Sequence, residues 1–291
     1  MEKDLLLVIN PTAGSIDYNL ILSTAQAFAK LYDFKLNIYT TSGDDDAEDI
    51  KKLLRETNYD RVVVAGGDGT IRMVAKLLLH SDLILGILAS GSANGLATSL
   101  EYPTELDAQF EIAFNGESKP IDTIVVNDKL CTHIADIGIN AELIYNYDKS
   151  GSSGLLGYAS QVLPTVYNSD YPFKFNISVN NQTINTEGIL VAFANGKKYG
   201  TGSIINPKGK INDGKFEVIV FKTLGVKQIF KTFFEGLRIG DEHFEMYHTT
   251  SVSIECNDKI ALQIDGEYIG KYSSIKATVN PASLLLAMPN S

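Results

Sequence analysis

Arg61-Val-Val-Val-Ala-Gly66-Gly67-Asp68-Gly69-Thr70 runs an unbroken apolar strand into a cluster of glycines and from there into a helix. Glycine permits positive φ and lets a phosphate come close to backbone N–H groups, and the helix N-terminus behind it supplies roughly half a positive charge. The turn therefore predicts a polyphosphate site. Asp68 inside it would repel that phosphate unless its carboxylate holds a cation, fixes a loop or takes a proton. The plainer alternative is that Asp68 caps the helix beside a tight turn.

The same strand, turn and helix texture extends on both sides of this stretch. Leu5 to Ile9 is an apolar run that stops at Asn10-Pro11-Thr12-Ala13-Gly14, and a helical period follows from Leu20 to Leu31. Lys35 to Thr40 and Leu83 to Leu88 read as further strands, Asp45 to Glu56 and Thr70 to Leu79 as helices, and helical segments continue to Asn115. Fully apolar strands alternating with helices predict an α/β domain with a doubly wound parallel sheet covered on both faces. After Lys119-Pro120 the texture changes to short alternating runs separated by turn dipeptides at Asn127-Asp128, Asn180-Asn181, Asn195-Gly196 and Asp213-Gly214. A second, mainly β, sandwich domain is expected over 121–282, with helices only at Leu155 to Tyr167 and Val226 to Leu237. The first domain is expected over 1–120, and the apolar run Ser283 to Met288 is expected to return to it, with 283–291 packing there.

Composition narrows the class. The 291 residues are 44% hydrophobic and 21% charged, as in a folded globular protein, and are enough for two cores. Thirty-five acids against 25 bases give a net charge of −10, which disfavours nucleic acid as a partner. Cys131 and Cys256 match no zinc or redox spacing, no apolar run approaches the roughly 20 residues of a transmembrane helix, and no signal sequence is expected. The expected location is the cytoplasm. His80, His133, His243 and His248 lack any i, i+4 carboxylate partner and are expected to be surface or strand residues rather than metal ligands.

Two common nucleotide motifs are absent. There is no G-x-x-x-x-G-K-[ST], and Arg72 stands where G-x-G-x-x-G after Gly67 and Gly69 needs its third glycine. Gly66-Gly67-Asp68-Gly69-Thr70 instead resembles the signature of the diacylglycerol kinase catalytic domain family, shared with sphingosine kinases and NAD kinases. Three further segments fall in that family's order: Asn10 to Gly14, Gly91-Ser92-Ala93-Asn94-Gly95-Leu96-Ala97, and Asp265-Gly266-Glu267. The resemblance covers essentially the whole chain. It implies a lipid kinase with ATP and Mg2+ as cofactors, the nucleotide lying between an NAD kinase-like α/β domain and a β-sandwich. Its lipid substrate would be met on peripheral visits to the membrane surface, and a homodimer is compatible with it.

The resemblance also implies residue roles. Asn10, Pro11, Thr12, Ala13 and Gly14 would face the phosphates with Gly66, Gly67, Asp68, Gly69, Thr70, Ile71 and Arg72, while Thr41 and Ser92 would contact the nucleotide; Ser92 replaces the usual Thr. Asp213 would hold a magnesium ion with the backbone carbonyls of Lys210 and Lys215, and Asn212-Asp213-Gly214 also reads as a plain hairpin turn. Glu267 is the expected proton acceptor, with Asp265 and Asp68 as metal or water-network partners, against the alternative of a solvated β-turn. The family's usual Asn-Glu-Val after the glycine motif is here Arg72-Met73-Val74, and Asn94 is followed by Gly95 as in sphingosine kinases. Asp136 in His133-Ile-Ala-Asp136-Ile-Gly138 is similar to the sphingosine kinase residue that holds a sphingoid amino group, or it caps a turn. Asn94 and Asp136 are thus substrate candidates. Diacylglycerol is the first expected acceptor and a sphingoid base the second; NAD kinase and a non-catalytic nucleotide sensor complete the set. Val226 to Leu237 is expected to pack on its own domain, with docking at a bilayer as the alternative.

Overall fold

The computed structural model describes residues 3–14, 17–150, 157, 160, 161, 164, 165, 171–199, 203, 204, 206, 209–222 and 244–290. The chain divides into two compact units, 1–121 with 282–291, and 122–281.

The first unit alternates strands and helices: β1 (Lys3–Ile9), α1 (Tyr18–Leu31), β2 (Phe34–Thr40), α2 (Asp46–Glu56), β3 (Arg61–Gly66), α3 (Asp68–Leu78), β4 (Ile84–Ala89), α4 (Gly95–Ser99) and α5 (Leu106–Asn115). β1 pairs in parallel with β2 on one side and β3 on the other, and β3 pairs with β4. The order β2-β1-β3-β4 reverses direction at β1 and β3, so the chain ends leaving those two strands diverge at the sheet's carboxyl edge. Leu5 to Val8 and Val62 to Val64 are fully buried, because helices cover both faces. On one face Ile21, Ala25 and Ala29 of α1, spaced four apart, pack with Phe110, Ala113 and Phe114 of α5. Asp17 starts α1 by accepting from the N–H of Asn19 at 2.8 Å, and Asp46, Glu48 and Asp49 put negative charge in the first turn of α2.

The second unit contains the β5 (Glu117–Val126) residues from Asp122 on, β6 (Lys129–Cys131), β7 (Ile134–Gly138), α6 (Ile139–Ser150), β8 (Phe173–Val179), β9 (Gln182–Gly188), β10 (Leu190–Ala194), β11 (Lys198–Tyr199), β12 (Ser203–Ile204), β13 (Phe216–Phe221), β14 (Phe244–Thr249), β15 (Ser251–Ile264) and the first part of β16 (Glu267–Met288). The last residues of β16 belong to the first unit, where Leu285 and Leu286 run parallel to Ile84 and Leu85. Pairing in the second unit is antiparallel, through β14-β13-β10-β7-β15-β16, with β8 and β9 added beside β15. Residues alternate between two cores: Val191 and Phe193 of β10 join Ile137, Val218 and Leu262 on one face, while Leu190, Ala192 and Ala194 join Ile139 and Leu143 of α6 on the other.

Two-residue turns at Asn127-Asp128, Asn180-Asn181 and Asp265-Gly266 have positive φ at both positions and join directly paired strand ends, the geometry that matches strand twist. α6 corrects the expectation that the second domain carries helices only near 155–167 and 226–237. Its sequence, INAELIYNYDKS, follows a buried β strand directly at Gly138, whose φ of 122° turns the chain where a side chain would meet the Ile189 carbonyl. Most of the expected helix at 155–167 and all of that at 226–237 lie outside the described residues, as does His243.

Candidate functional site

Three turns converge at the carboxyl edge of the first unit's sheet. The 10–14 turn leaves β1, the 66–68 turn leaves β3, and the 90–94 turn leaves β4. Asn10 ties the first to the second: its backbone N–H donates to the Ala65 carbonyl at 2.9 Å, and its Nδ2 donates to Thr70 Oγ1 at 2.9 Å. Its Oδ1 accepts from the N–H of Thr12 at 3.0 Å and from Thr12 Oγ1 at 2.9 Å, which folds the turn back on itself. The N–H of Thr41 donates to the Ile9 carbonyl at 2.9 Å, bringing the end of β2 to the same edge.

The approach of these turns is set by missing side chains. A Cβ on Gly14, where φ is +67°, would lie 1.6 Å from the Ser90 carbonyl oxygen, and one on Gly91 would lie 2.6 Å from Gly67 Cα. The turns thus pack backbone on backbone. Asp68 secures the third turn: Oδ2 accepts from the N–H of Gly95 at 2.9 Å and Oδ1 from that of Leu96 at 3.2 Å. It does cap a helix, but the helix is α4 rather than the one Asp68 begins; such a charged cap contributes about 1 kcal/mol. Asn94, in left-handed conformation with φ 51°, turns its Oδ1 inward to the Gly91 N–H at 2.7 Å, so its side chain holds the turn. Ile71 is fully buried, leaving its backbone, whose N–H already donates to Gly67 at 3.0 Å. Pro11, Thr12, Gly14 and Ser92 are exposed, and Ala13, Gly67, Gly69, Thr70 and Arg72 are half-buried along this edge.

The second unit is organised around Asp265. Its carboxylate is buried in the β15–β16 turn and accepts from the N–H groups of Thr132 at 2.8 Å, His133 at 3.1 Å and Ile134 at 3.2 Å, and from Thr132 Oγ1 at 3.1 Å. His133 Nδ1 stands 2.9 Å away. Burial pushes this carboxyl up, but the His133 ring and the converging N–H groups outweigh it and hold the pKa down to about 2. Asp265 therefore anchors the 131–134 segment to the turn. Glu267, two residues on, is exposed. Asp136 on β7 is fully buried, and its Oδ2 accepts from Asn140 Nδ2 at 2.7 Å and Gln263 Nε2 at 2.6 Å.

Asp213 is exposed on a turn where Gly214 has φ +73°; its Oδ1 accepts from the Lys215 N–H at 3.2 Å. His248 Nε2 lies 3.7 Å from Asp213, and His248 Nδ1 lies 2.8 Å from Glu217, a carboxyl raised by burial despite His248 and Asn206 beside it. Among the described residues no three His, Cys, Asp or Glu side chains converge as a metal site. The contacts of His133, Glu217 and Gln263 join residues distant in sequence, and that of Asn140 with Asp136, four residues back, depends on the unexpected helix α6. A buried glutamine inside an apolar strand, Ala261-Leu-Gln-Ile264, was the available signal.

Two outcomes follow. Gly14→Ala forces the Ser90 backbone to move in a conformation that disfavours Ala, and a loss of about 2 kcal/mol is expected in urea unfolding. Because the folded pKa of Asp265 lies below its unfolded value of 3.8, its stabilisation is complete above pH 4 and disappears as pH falls to about 2. Asp265→Asn is expected to lower stability on the order of 2 kcal/mol at pH 7 and to converge with the parent near pH 2, as thermal unfolding at each pH would record.

Comparison with known proteins agrees with this layout. The diacylglycerol kinase catalytic domain model matches residues 4–126, and the YegS C-terminal NAD kinase beta sandwich-like domain model matches 138–288. The chain is 27% identical to "Diacylglycerol kinase" of Bacillus subtilis, over 91% of this chain and 89% of that one. It is 26% identical to "Probable lipid kinase YegS-like" of Pectobacterium atrosepticum, over 99% and 98%. The crystal structure of a diacylglycerol kinase from Bacillus anthracis shares the fold with a TM-score of 0.75 at 21% identity, over 99% of this chain and 97% of that one. With both halves matched in order, the chain belongs to the diacylglycerol kinase catalytic domain family, in the group carrying a YegS-type, NAD kinase-like β-sandwich.

Proposed function

We propose that the protein is an ATP-dependent lipid kinase that transfers the γ-phosphate to a lipid hydroxyl, with diacylglycerol as acceptor. The observation that carries this reading is the backbone-on-backbone packing of the 10–14, 66–68 and 90–94 turns at the sheet's carboxyl edge. Such a surface brings glycine backbone together beside the α3 N-terminus, which suits a polyphosphate. Relatives named as diacylglycerol and lipid kinases support the acceptor class. Among the described residues no helix is long and apolar enough to cross a membrane.

Phosphoryl transfer asks a protein for positioning, charge neutralisation and a place for the hydroxyl proton. Asp68 serves positioning, since its carboxylate locks the turn that begins α4. Glu267 is the proposed proton acceptor; its exposed carboxylate follows a turn that buried Asp265 holds fixed. The accepted proton leaves the attacking hydroxyl as its oxygen bonds to phosphorus and the ADP oxygen departs. Magnesium supplied with ATP neutralises phosphate charge. A second, structural magnesium would be held by the Asp213 carboxylate with the Lys210 and Lys215 carbonyls, hard oxygen donors of the kind this ion takes. The engagement of Asp136 by two amides favours a neutral lipid over a sphingoid amine, because a carboxylate already bonded in the core has less to offer an ammonium.

The test is transfer of labelled γ-phosphate from ATP and magnesium to dispersed diacylglycerol, a sphingoid base and NAD in parallel. Label in diacylglycerol is expected; label only in NAD or in the sphingoid base contradicts the acceptor. Glu267→Gln is expected to lower kcat by about a hundredfold, the usual contribution of a general base. An unchanged kcat removes Glu267 from the reaction.

A further inference from the structure

A polar row crosses the sheet of the second unit. Tyr268 on β16 stands opposite Gln263 on β15, and Gln263 stands opposite Asp136 on β7. α6 lies along this row: Asn140 in its first turn bonds Asp136, and Tyr145 places its ring 4.6 Å from that of Tyr268. Asp136, Asn140 and Gln263 are at most 1% exposed.

Gln263 uses both ends of its amide. Nε2 donates to Asp136 Oδ2 at 2.6 Å, and Oε1 accepts from the N–H of Gly266 at 2.8 Å. Gly266 immediately precedes Glu267. A two-residue turn of this type needs no side chain beneath it, since backbone geometry alone closes it. Beside it the ladder slips one register between Leu262 and Gln263, so that Ile269 has no partner on β15. Bulges of this kind re-aim nearby side chains. Burying an amide against a carboxylate is an inefficient way to stabilise a sheet but an effective way to fix a direction, because each group has few satisfactory orientations.

We propose that Asp136 and Gln263 are positioning residues for phosphoryl transfer: Asp136, clamped by Asn140 of α6, orients Gln263, and Gln263 holds the Gly266 N–H and thereby the aim of Glu267. Asp136 thus acts through Gln263 rather than on an amine of the lipid. The proposal rests on Glu267 as proton acceptor.

The test compares kinetics of phosphate transfer to diacylglycerol in Gln263→Leu, Glu267→Gln, the double variant, Asp136→Leu and Asp136→Asn, with thermal unfolding of each. Gln263→Leu is expected to reduce kcat on the order of ten- to a hundredfold with the KM values for ATP and lipid little changed. In the Glu267→Gln background the same change should cost nothing further, because the residue being aimed is gone. Asp136→Asn, whose amide oxygen still accepts from Asn140 and Gln263, should recover most of the kcat that Asp136→Leu loses. This pair reads the relay even if Gln263→Leu fails to fold. Parental kcat in Gln263→Leu, additive losses in the double variant, or equal losses in Asp136→Asn and Asp136→Leu would each overturn the relay while leaving Glu267 in place. Parental kcat in Glu267→Gln fails both readings.

Discussion

At the carboxyl edge of the parallel sheet, backbone touches backbone with no room for a Cβ at Gly14 or Gly91, and the proposed nucleotide site depends on that contact. Gly14 against Ser90 and Gly67 against Gly91 bring three turns from three strands to one surface. Asn10 and Asp68 hold it there, one joining the turn after β1 to α3 and the other joining α3 to α4. The two residues look like candidates for chemistry in the sequence, and each turns out to spend its hydrogen-bonding capacity on neighbouring turns. In the proposed site their service to a phosphate would be indirect: they keep the turns in place so that binding need not order them.

The second unit repeats this economy with a different carboxylate. Asp265 sits in a tight hairpin turn, where sequence reasoning alone leaves a solvated acid as an alternative. It is instead buried, and collects the N–H groups of three successive residues 131–133 positions away in the chain. The low pKa that results keeps it charged and committed, which separates its role from that of exposed Glu267. A turn held beneath by both Asp265 and Gln263 is over-determined, as expected where a side chain must point one way.

Strands β1 and β3 of the first unit were legible because both faces are buried: Leu5 to Ile9 and Val62 to Ala65 have no polar interruption to confuse with a helix. Glycines and the residues after them marked where those strands end. The hairpins at Asn127-Asp128 and Asn180-Asn181 were legible for a similar local reason, since those residue types tolerate positive φ. α6 was not legible, because Ile139 to Ser150 carries polar residues among its apolar ones and begins with no cap after a strand. The inward use of Asp68, Asn94, Asp136 and Asp265 was equally hidden. Asn94 takes its donor from Gly91 within its own turn, but the donors to the three aspartates come from other elements, and a carboxylate in sequence carries no sign of whether it faces water, metal or an N–H group.

Calorimetric titration of ATP with magnesium into the parent protein and Gly67→Ala bears most directly on the central claim. The added methyl would meet the Gly91 backbone, Cα at 3.2 Å and N at 3.9 Å, and Gly67 has an ordinary negative φ, so a shift of a few tenths of an ångström in the 90–94 turn admits it while the phosphate surface loses its close approach. ATP is expected to bind the parent and to bind Gly67→Ala about tenfold or more weakly, with thermal unfolding still cooperative and only slightly lowered. Equal affinity in the two proteins would contradict it, because the phosphates would then lie elsewhere than on the glycine turns.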